Sequence, residues 1–298
     1  MTVDSVAIIG AGPSGIAMAI QLKRYGVEPV IFEKDEPGGL LKNANLVENY
    51  PGFPRGVTGS ELVELMVTQL MDSRVMVIPD EVTNLDFRGD AFVLRTGKRR
   101  YQFKRIAVAS GTKPVKASTS EVSNLNPRVV HYEVYPILKE KWKKIVIIGA
   151  GDAAFDYALN LAWQNEVVIL NRGSLLASLP LLVERARSHP NITYHQNIAI
   201  SRLELDESGS RVDLVCTSPA GLRKISADYL IFAIGREPSL DYFSNTLVQC
   251  KEELIANGRL YLIGDVKNEI FRQTAIAVGD GVLAAMKLYK SLAEAKAE

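Results

Sequence analysis

Cysteine is almost missing from this chain: Cys216 and Cys250 are the only two in 298 residues. Their separation excludes a disulfide framework, a four-cysteine zinc site and any C-x-x-C pair. Long apolar runs are missing too. None approaches the ~20 residues that cross a bilayer, and no charged segment leads into an apolar one at the N-terminus. No membrane partner and no export are expected, and the cytoplasm is the default location. Neither sign of charge prevails, with 35 basic residues against 34 acidic ones and a net charge of +1. That balance argues against a nucleic-acid binder. The three histidines show no metal-ligand spacing, so no metal site is expected. What is present, 47% hydrophobic and 23% charged residues, is the composition of a folded enzyme, and the length suits two domains of about 150 residues.

The strongest pattern is an internal duplication. Residues 6–17 read VAIIGAGPSGIA and residues 146–157 read VIIGAGDAAFDY. Each IIGAG core follows a β-branched apolar run and opens a stretch of helical periodicity. Ile16, Ala19 and Ile20 share one face of the first stretch; Phe155, Leu159 and Trp163 share one face of the second. Apolar strands follow at Pro29–Glu33 and at Glu166–Asn171. A second pair of echoes, Ala109-Ser-Gly-Thr-Lys-Pro114 and Ala233-Ile-Gly-Arg-Glu-Pro238, closes each half after another strand. Short strands between these marks suggest a small meander in each half. Residues 274–296 suggest a helix with Val278, Val282, Met286 and Tyr289 on its apolar stripe. Cys216 alternates inward in the strand 212–217, whereas Cys250 precedes charged residues and is expected at the surface.

Gly10-Ala-Gly12-Pro-Ser-Gly15, after a strand and before a helix, is a full dinucleotide fingerprint. Gly10 permits the turn, Gly12 lets a pyrophosphate approach the backbone, and Gly15 lets helix and strand pack closely. The helix N-terminus adds free N–H groups and partial positive charge. Glu33, at the end of the next strand, suits two ribose hydroxyls. In the second loop, Gly149-Ala-Gly151-Asp-Ala-Ala154, alanine replaces the third glycine. Asn171 and Arg172 stand where the ribose acid would be, which favours NADP over NAD. A third element, Leu260-Tyr-Leu-Ile-Gly264-Asp265, delivers an aspartate at the end of a strand, where open α/β sheets bind ligands. It suits the ribityl and pyrophosphate region of a flavin nucleotide.

With these motifs in order, the chain resembles the low-molecular-weight thioredoxin reductases and the thioredoxin-reductase-like ferredoxin/flavodoxin–NADP reductases. The likeness covers nearly the whole chain and includes Pro37-Gly-Gly-Leu-Leu41, Val47-Glu-Asn-Tyr-Pro-Gly-Phe-Pro54 and Arg272-Gln273-Thr-Ala. It implies an α/β fold of two Rossmann-like, three-layer ββα domains, the NAD(P)H domain (114–238) inserted into an FAD domain (1–113 and 239–298). It implies FAD contacts at Gly10, Gly12, Pro13, Ser14, Gly15, Glu33, Lys34, Gly39, Leu40, Asn49, Val82, Ala109 and Gly111, then at Gly264, Asp265, Arg272, Gln273 and Thr274. For NADPH or NADH, the matching positions are Gly149, Gly151, Asp152, Ala153, Asn171, Arg172 and Gly235. Tyr50, Tyr132 and His131 are flavin-adjacent candidates, and a homodimer is implied.

Two departures shape the functional expectation. Where thioredoxin reductases carry C-x-x-C, this chain reads His131-Tyr-Glu-Val-Tyr-Pro-Ile-Leu-Lys139. The arginine cluster of the family's NADPH signature is reduced to Asn171-Arg172-Gly173. The expectation is an FAD-dependent NAD(P)H oxidoreductase with a non-disulfide acceptor, and a small carrier such as ferredoxin, flavodoxin or a thioredoxin-like protein as partner. Two alternatives stay open: a thioredoxin-reductase-like protein without its own redox disulfide, and a non-catalytic FAD-binding sensor or subunit.

Overall fold

The computed structural model describes residues 6–117 and 126–297. It divides into two compact units: residues 1–42, 47–113 and 237–298 form the first, and residues 43–46 and 114–236 the second. Among the described residues no helix is long and apolar enough to cross a membrane.

The first unit begins β1 (Val6–Ile9), α1 (Pro13–Arg24), β2 (Pro29–Glu33), α2 (Gly59–Asp72) and β3 (Met76–Pro79). An antiparallel meander follows: β4 (Val82–Arg88), β5 (Ala91–Thr96) and β6 (Arg100–Phe103). The chain returns through β7 (Arg105–Val108) and leaves by β8 (Thr112–Pro114). The second unit holds β9 (Val130–His131), β10 (Lys144–Ile148), α3 (Asp152–Leu161), β11 (Glu166–Leu170), α4 (Pro180–Ser188) and β12 (Ile192–His195). Its own meander is β13 (Ala199–Leu205), β14 (Val212–Ser218) and β15 (Gly221–Ala227), followed by β16 (Tyr229–Phe232) and β17 (Arg236–Pro238). The first unit is then completed by α5 (Asn245–Ala256), β18 (Leu260–Leu262) and α6 (Thr274–Ala297).

Each unit is built on a five-stranded parallel sheet, ordered β18-β7-β1-β2-β3 in one and β12-β11-β10-β16-β9 in the other. Strands β1 and β10 take equivalent central places, so the duplication seen in sequence is a duplication of topology. Such strands are covered on both faces and read as continuous apolar runs. Val6 to Ile9 and Ile145 to Ile147 are buried accordingly. In the first unit, α1 and α6 cover one face of the sheet, while the meander and α5 cover the other. In the second unit, α3 and α4 cover one face and the meander the other.

The closing motifs have a physical role beyond marking exits. A Cβ on Gly10, whose φ is +103°, would collide with the carbonyl of Ala109; one on Gly149 would collide with that of Ala233. The first alanine of each A-x-G-x-x-P motif is thus the surface against which the first glycine of each loop is pressed. Ala109 N donates to Ile9 O at 2.8 Å and Ala233 N to Ile148 O at 2.8 Å, which fixes both approaches.

Two packing expectations need correction. Helix α3 ends at Leu161, so Trp163 leaves the stripe of Phe155 and is 77% exposed. On α6 the buried stripe is Ala277, Gly281, Ala284, Ala285 and Leu288, while Met286 and Tyr289 lie half in solvent. Close approach to α1 selects small residues here; Tyr289 instead stacks on Tyr25, ring centroids 4.3 Å apart. A Cβ on Gly281 would collide with the Ser14 carbonyl. Gly281→Ala is therefore expected to cost about 1–3 kcal/mol in denaturant unfolding through overpacking. Gly279→Ala, which meets nothing within 4 Å, is expected to be neutral or stabilising by about 0.4–1 kcal/mol. Equal effects of the two would contradict this packing.

Candidate functional site

In the first unit, Gly12 is the N-cap of α1 and contributes no capping side chain, with Pro13 at the first helical position. The N–H groups of the first turn are thus left for a ligand. Lys23 and Arg24 close the far end of the helix, complementing its dipole. A Cβ on Gly12 would touch nothing within 4 Å, so the backbone there has the open approach a pyrophosphate needs. Glu33 is fixed beside it: Oε2 accepts from Ala11 N at 2.6 Å and Oε1 from Asp35 N at 3.0 Å. Gly38 N donates to Ala11 O at 2.8 Å, laying the turn that carries Gly39 and Leu40 along the glycine loop. Lys34 is exposed next to Glu33; Val82 and Ala109 are buried, and Gly111 is partly so.

The fold gathers the later motifs at the same place. Gly264 opens a short 3-10 turn over residues 264–266, and a Cβ on it would strike the Ser14 side chain. This brings Asp265 to the start of α1. Asn49 Nδ2 donates to Gln273 Oε1 at 2.8 Å, joining residues 224 positions apart. Arg272, Gln273 and Thr274 lead into α6, whose N-terminus carries partial positive charge. Residues 48–54 line a cleft of about 440 Å³, in which the rings of Tyr50 and Phe53 lie 6.1 Å apart. The Asp280 carboxylate was not anticipated. It accepts from Gly264 N at 3.1 Å and Asn268 Nδ2 at 2.7 Å, and pairs with Lys267 at 2.9 Å. Asp280 therefore positions the turn that bears Asp265. Its isolation as the single acid in the first five turns of α6 was the available signal.

In the second unit, Gly151 caps α3 and Asp152 enters its first turn. Residues 173–179 lie along this loop: Ala177 N donates to Ala150 O at 3.1 Å, and Leu179 N donates to Asp152 Oδ1 at 2.7 Å. A Cβ on Gly151 would meet only Ala177 O, at 3.8 Å, so the backbone keeps room for a dinucleotide. Ser178 Oγ is buried there without a hydrogen-bond partner among the described residues. Ala153 is exposed, and Gly235 is left-handed with φ +125°. Asn171 is buried and committed within the unit. It donates to Leu175 O at 3.0 Å and Tyr194 Oη at 2.9 Å, and accepts from Gly173 N at 3.0 Å. Arg172 next to it is exposed.

The stretch without cysteines is packed at two positions, while Tyr135, Pro136 and Lys139 are exposed. Val134 and Ile137 are buried in the core beside α3. Glu133 Oε2 accepts from Tyr157 Oη at 3.0 Å, and Oε1 pairs with Arg236. Burial and the Glu133 charge push the Tyr157 hydroxyl far up, so it stays a donor. Tyr132 stacks on Phe232. His131 Nε2 lies 3.1 Å from Arg128 O, and burial lowers its pKa, which keeps the imidazole neutral at pH 7. Cys216 is buried in β14 and Cys250 is half-buried in α5.

Asp156 on α3 accepts from Asn45 N at 3.0 Å. Burial first, with the Asp152 charge in the same direction and the Asn45 N–H opposing, pushes its pKa up to about 6. The folded state therefore holds a proton that the unfolded chain, near 3.9, has lost. Its contribution to stability falls as pH rises from about 4 to about 6. Asp156→Asn is expected to be more stable than the parent at pH 7, by up to about 3 kcal/mol. The difference should vanish below about pH 4. Denaturant unfolding at both pH values checks this, and a constant difference would contradict it.

The description pyridine nucleotide-disulphide oxidoreductase matches residues 4–281. The sequence is similar to the thioredoxin reductase of Mycoplasma genitalium, 30% identical over 295 residues that span 95% of this chain and 93% of that protein. It is also similar to the thioredoxin reductase of Mycolicibacterium smegmatis, 28% identical across 98% of both. The structure of Lactococcus lactis thioredoxin reductase matches with a TM-score of 0.84 at 25% identity, over 98% of this chain and 100% of that one. The structure of T. acidophilum thioredoxin reductase, with a TM-score of 0.82 at 24% identity over 97% and 98% of the two chains, agrees in fold.

Proposed function

The chain belongs to the pyridine nucleotide-disulphide oxidoreductase family as a thioredoxin-reductase-like, FAD-dependent NAD(P)H oxidoreductase, and from that premise we propose that its electrons go to an acceptor other than a disulfide, most like a ferredoxin or flavodoxin. The observation that carries this reading is the absence of any usable dithiol. The chain has two cysteines, one buried in a strand and one in a helix of the other unit. A flavin reaches a disulfide only through thiolate exchange. The segment where the relatives' pair would stand is anchored by Glu133, Tyr157, Arg236 and two buried aliphatic side chains.

In this reading the first unit binds FAD and the second binds the nicotinamide. Bound FAD supplies hydride uptake and the release of electrons singly or as a pair. The first turn of α1 holds the pyrophosphate, and Glu33 orients a ribose. The Asn49–Gln273 pair and the start of α6 border the ring, where the helix end favours negative charge by about 0.3–2 kcal/mol. Tyr50 and Phe53 shield one edge of that cleft. Tyr132 and His131 serve the packing of the second unit. A homodimer is part of the same proposal, supported by Ile276, Leu283 and Met286 exposed along one flank of α6.

Arg172 is the residue proposed to read a 2′-phosphate. Arg172→Ala should raise KM for NADPH about tenfold or more, the value of a charge-assisted contact, and leave KM for NADH unchanged. Equal losses for both nucleotides would remove Arg172 from that role. The acceptor is tested by steady-state turnover of the FAD-loaded protein with NADPH. Turnover is expected with a small one-electron carrier protein and not with an oxidised thioredoxin-like protein. The reverse pattern favours the second reading, a reductase that borrows thiols from a partner, for which the names of the relatives speak. FAD-loaded protein inert towards both would favour a non-catalytic sensor.

A further inference from the structure

Both tryptophans of the chain stand in solvent at one corner of the second unit. Trp142 is 88% exposed and Trp163 is 77% exposed. Large apolar groups on a surface call for explanation when they cluster, and here the cluster is built. Trp142 N donates to Gln164 O at 2.8 Å. The buried side chain of Asn165 then ties the two loops together. Its Oδ1 accepts from Lys143 N at 3.0 Å, and its Nδ2 donates to Glu140 O at 3.0 Å and Leu161 O at 2.9 Å. Trp163 rests edge-on against His189, ring centroids 5.9 Å apart. Trp142 itself has φ +59°, a left-handed conformation that is unfavourable for a bulky side chain. Retained strain at an exposed aromatic residue points to a use for the side chain outside the fold.

Basic side chains outnumber acidic ones around the corner, with Glu140 standing between Lys139 and Lys141. Lys139 and Lys141 are exposed and Lys143 is partly so. None of the three forms an ion pair among the described residues. The acids nearby have partners: Glu166 pairs with Lys144 at 2.8 Å, Asp228 with Arg211 at 3.3 Å, and Glu140 with the Tyr229 hydroxyl. Lysine is depleted from the cores of protein interfaces. Indole rings beside free lysines are instead the composition that meets a headgroup layer, the ring at the apolar boundary and the ammonium at the phosphates.

We infer that the Trp142–Trp163 corner is a peripheral docking surface for anionic lipid headgroups. It is a contact with a bilayer surface and not a span. Trp142 precedes β10 and Gly149 follows it, so the surface lies at the end of the strand away from the second nucleotide loop and leaves that loop free.

The test is co-sedimentation of the FAD-loaded protein with phosphatidylcholine vesicles, with and without phosphatidylglycerol. Binding is expected only with the anionic lipid. Tryptophan emission should be quenched by brominated acyl chains, and both emitters lie in the corner. Trp142→Gly suits the left-handed backbone, so it should fold with an unchanged or higher melting temperature and unchanged NADPH-dependent turnover. Its vesicle binding should fall about tenfold or more, and that of Lys141→Glu about fivefold or more. Lys98→Glu, in the basic turn of the first unit, should bind like the parent. Four results would overturn the inference: no vesicle binding, equal binding to both lipids, binding that survives Trp142→Gly, or loss only in Lys98→Glu. Self-association abolished by Trp142→Gly, without vesicle binding, would make the corner a contact between copies and also overturn it.

Discussion

Each half of the molecule depends on a carbonyl pressed where a side chain would otherwise sit. Gly10 packs against Ala109 and Gly149 against Ala233, with no room at either place for a Cβ. This approach lets the chain turn from the central strand into the helix directly above a neighbouring strand. The turn aims the first N–H groups of α1 and α3 away from the sheet, and that aim creates an anion site. Glu33 and the turn that bears Asp265 come to the first helical turn through this loop, Glu33 by accepting from Ala11 N and Gly264 by packing on Ser14. A side chain at either glycine would separate strand from loop before it touched any ligand.

Much of this was legible in the sequence because it is local. A β-branched run, a glycine turn and a helical period identify a βαβ unit without tertiary knowledge, and their repetition identified the second. The strand expected at Pro29–Glu33 is observed with those bounds, the one at Glu166–Asn171 ends at Leu170, and the one at 212–217 runs on to Ser218. What escaped is set by contacts between distant segments. The apolar period of α6 pointed to Met286 and Tyr289, but close helix packing prefers alanine and glycine, so the true seam carried little hydrophobic signal. Asn171 is expected as a ligand contact from its place at a strand end, and no local signal showed that its amide also hydrogen-bonds Tyr194 and its own loop. Glu133 gave no local sign of its partners, Tyr157 and Arg236, 24 and 103 positions away.

The same contacts explain how the cysteine-free segment differs from a redox segment. A redox pair must be reachable by a flavin and by a partner disulfide. In this chain Val134 and Ile137 of that segment face the core, and Glu133 is held from two sides. In the proposed function the electrons leave from the cofactor itself, and the choice of acceptor passes to the surface around it.

Anaerobic titration of the FAD-loaded protein with NADPH, followed by flavin absorbance, tests the central claim most directly. A flavin that is the chain's only two-electron store should be fully bleached by one equivalent of NADPH. A requirement for two equivalents, as for a flavin in equilibrium with a disulfide, would contradict the account, as would protein that takes up no FAD.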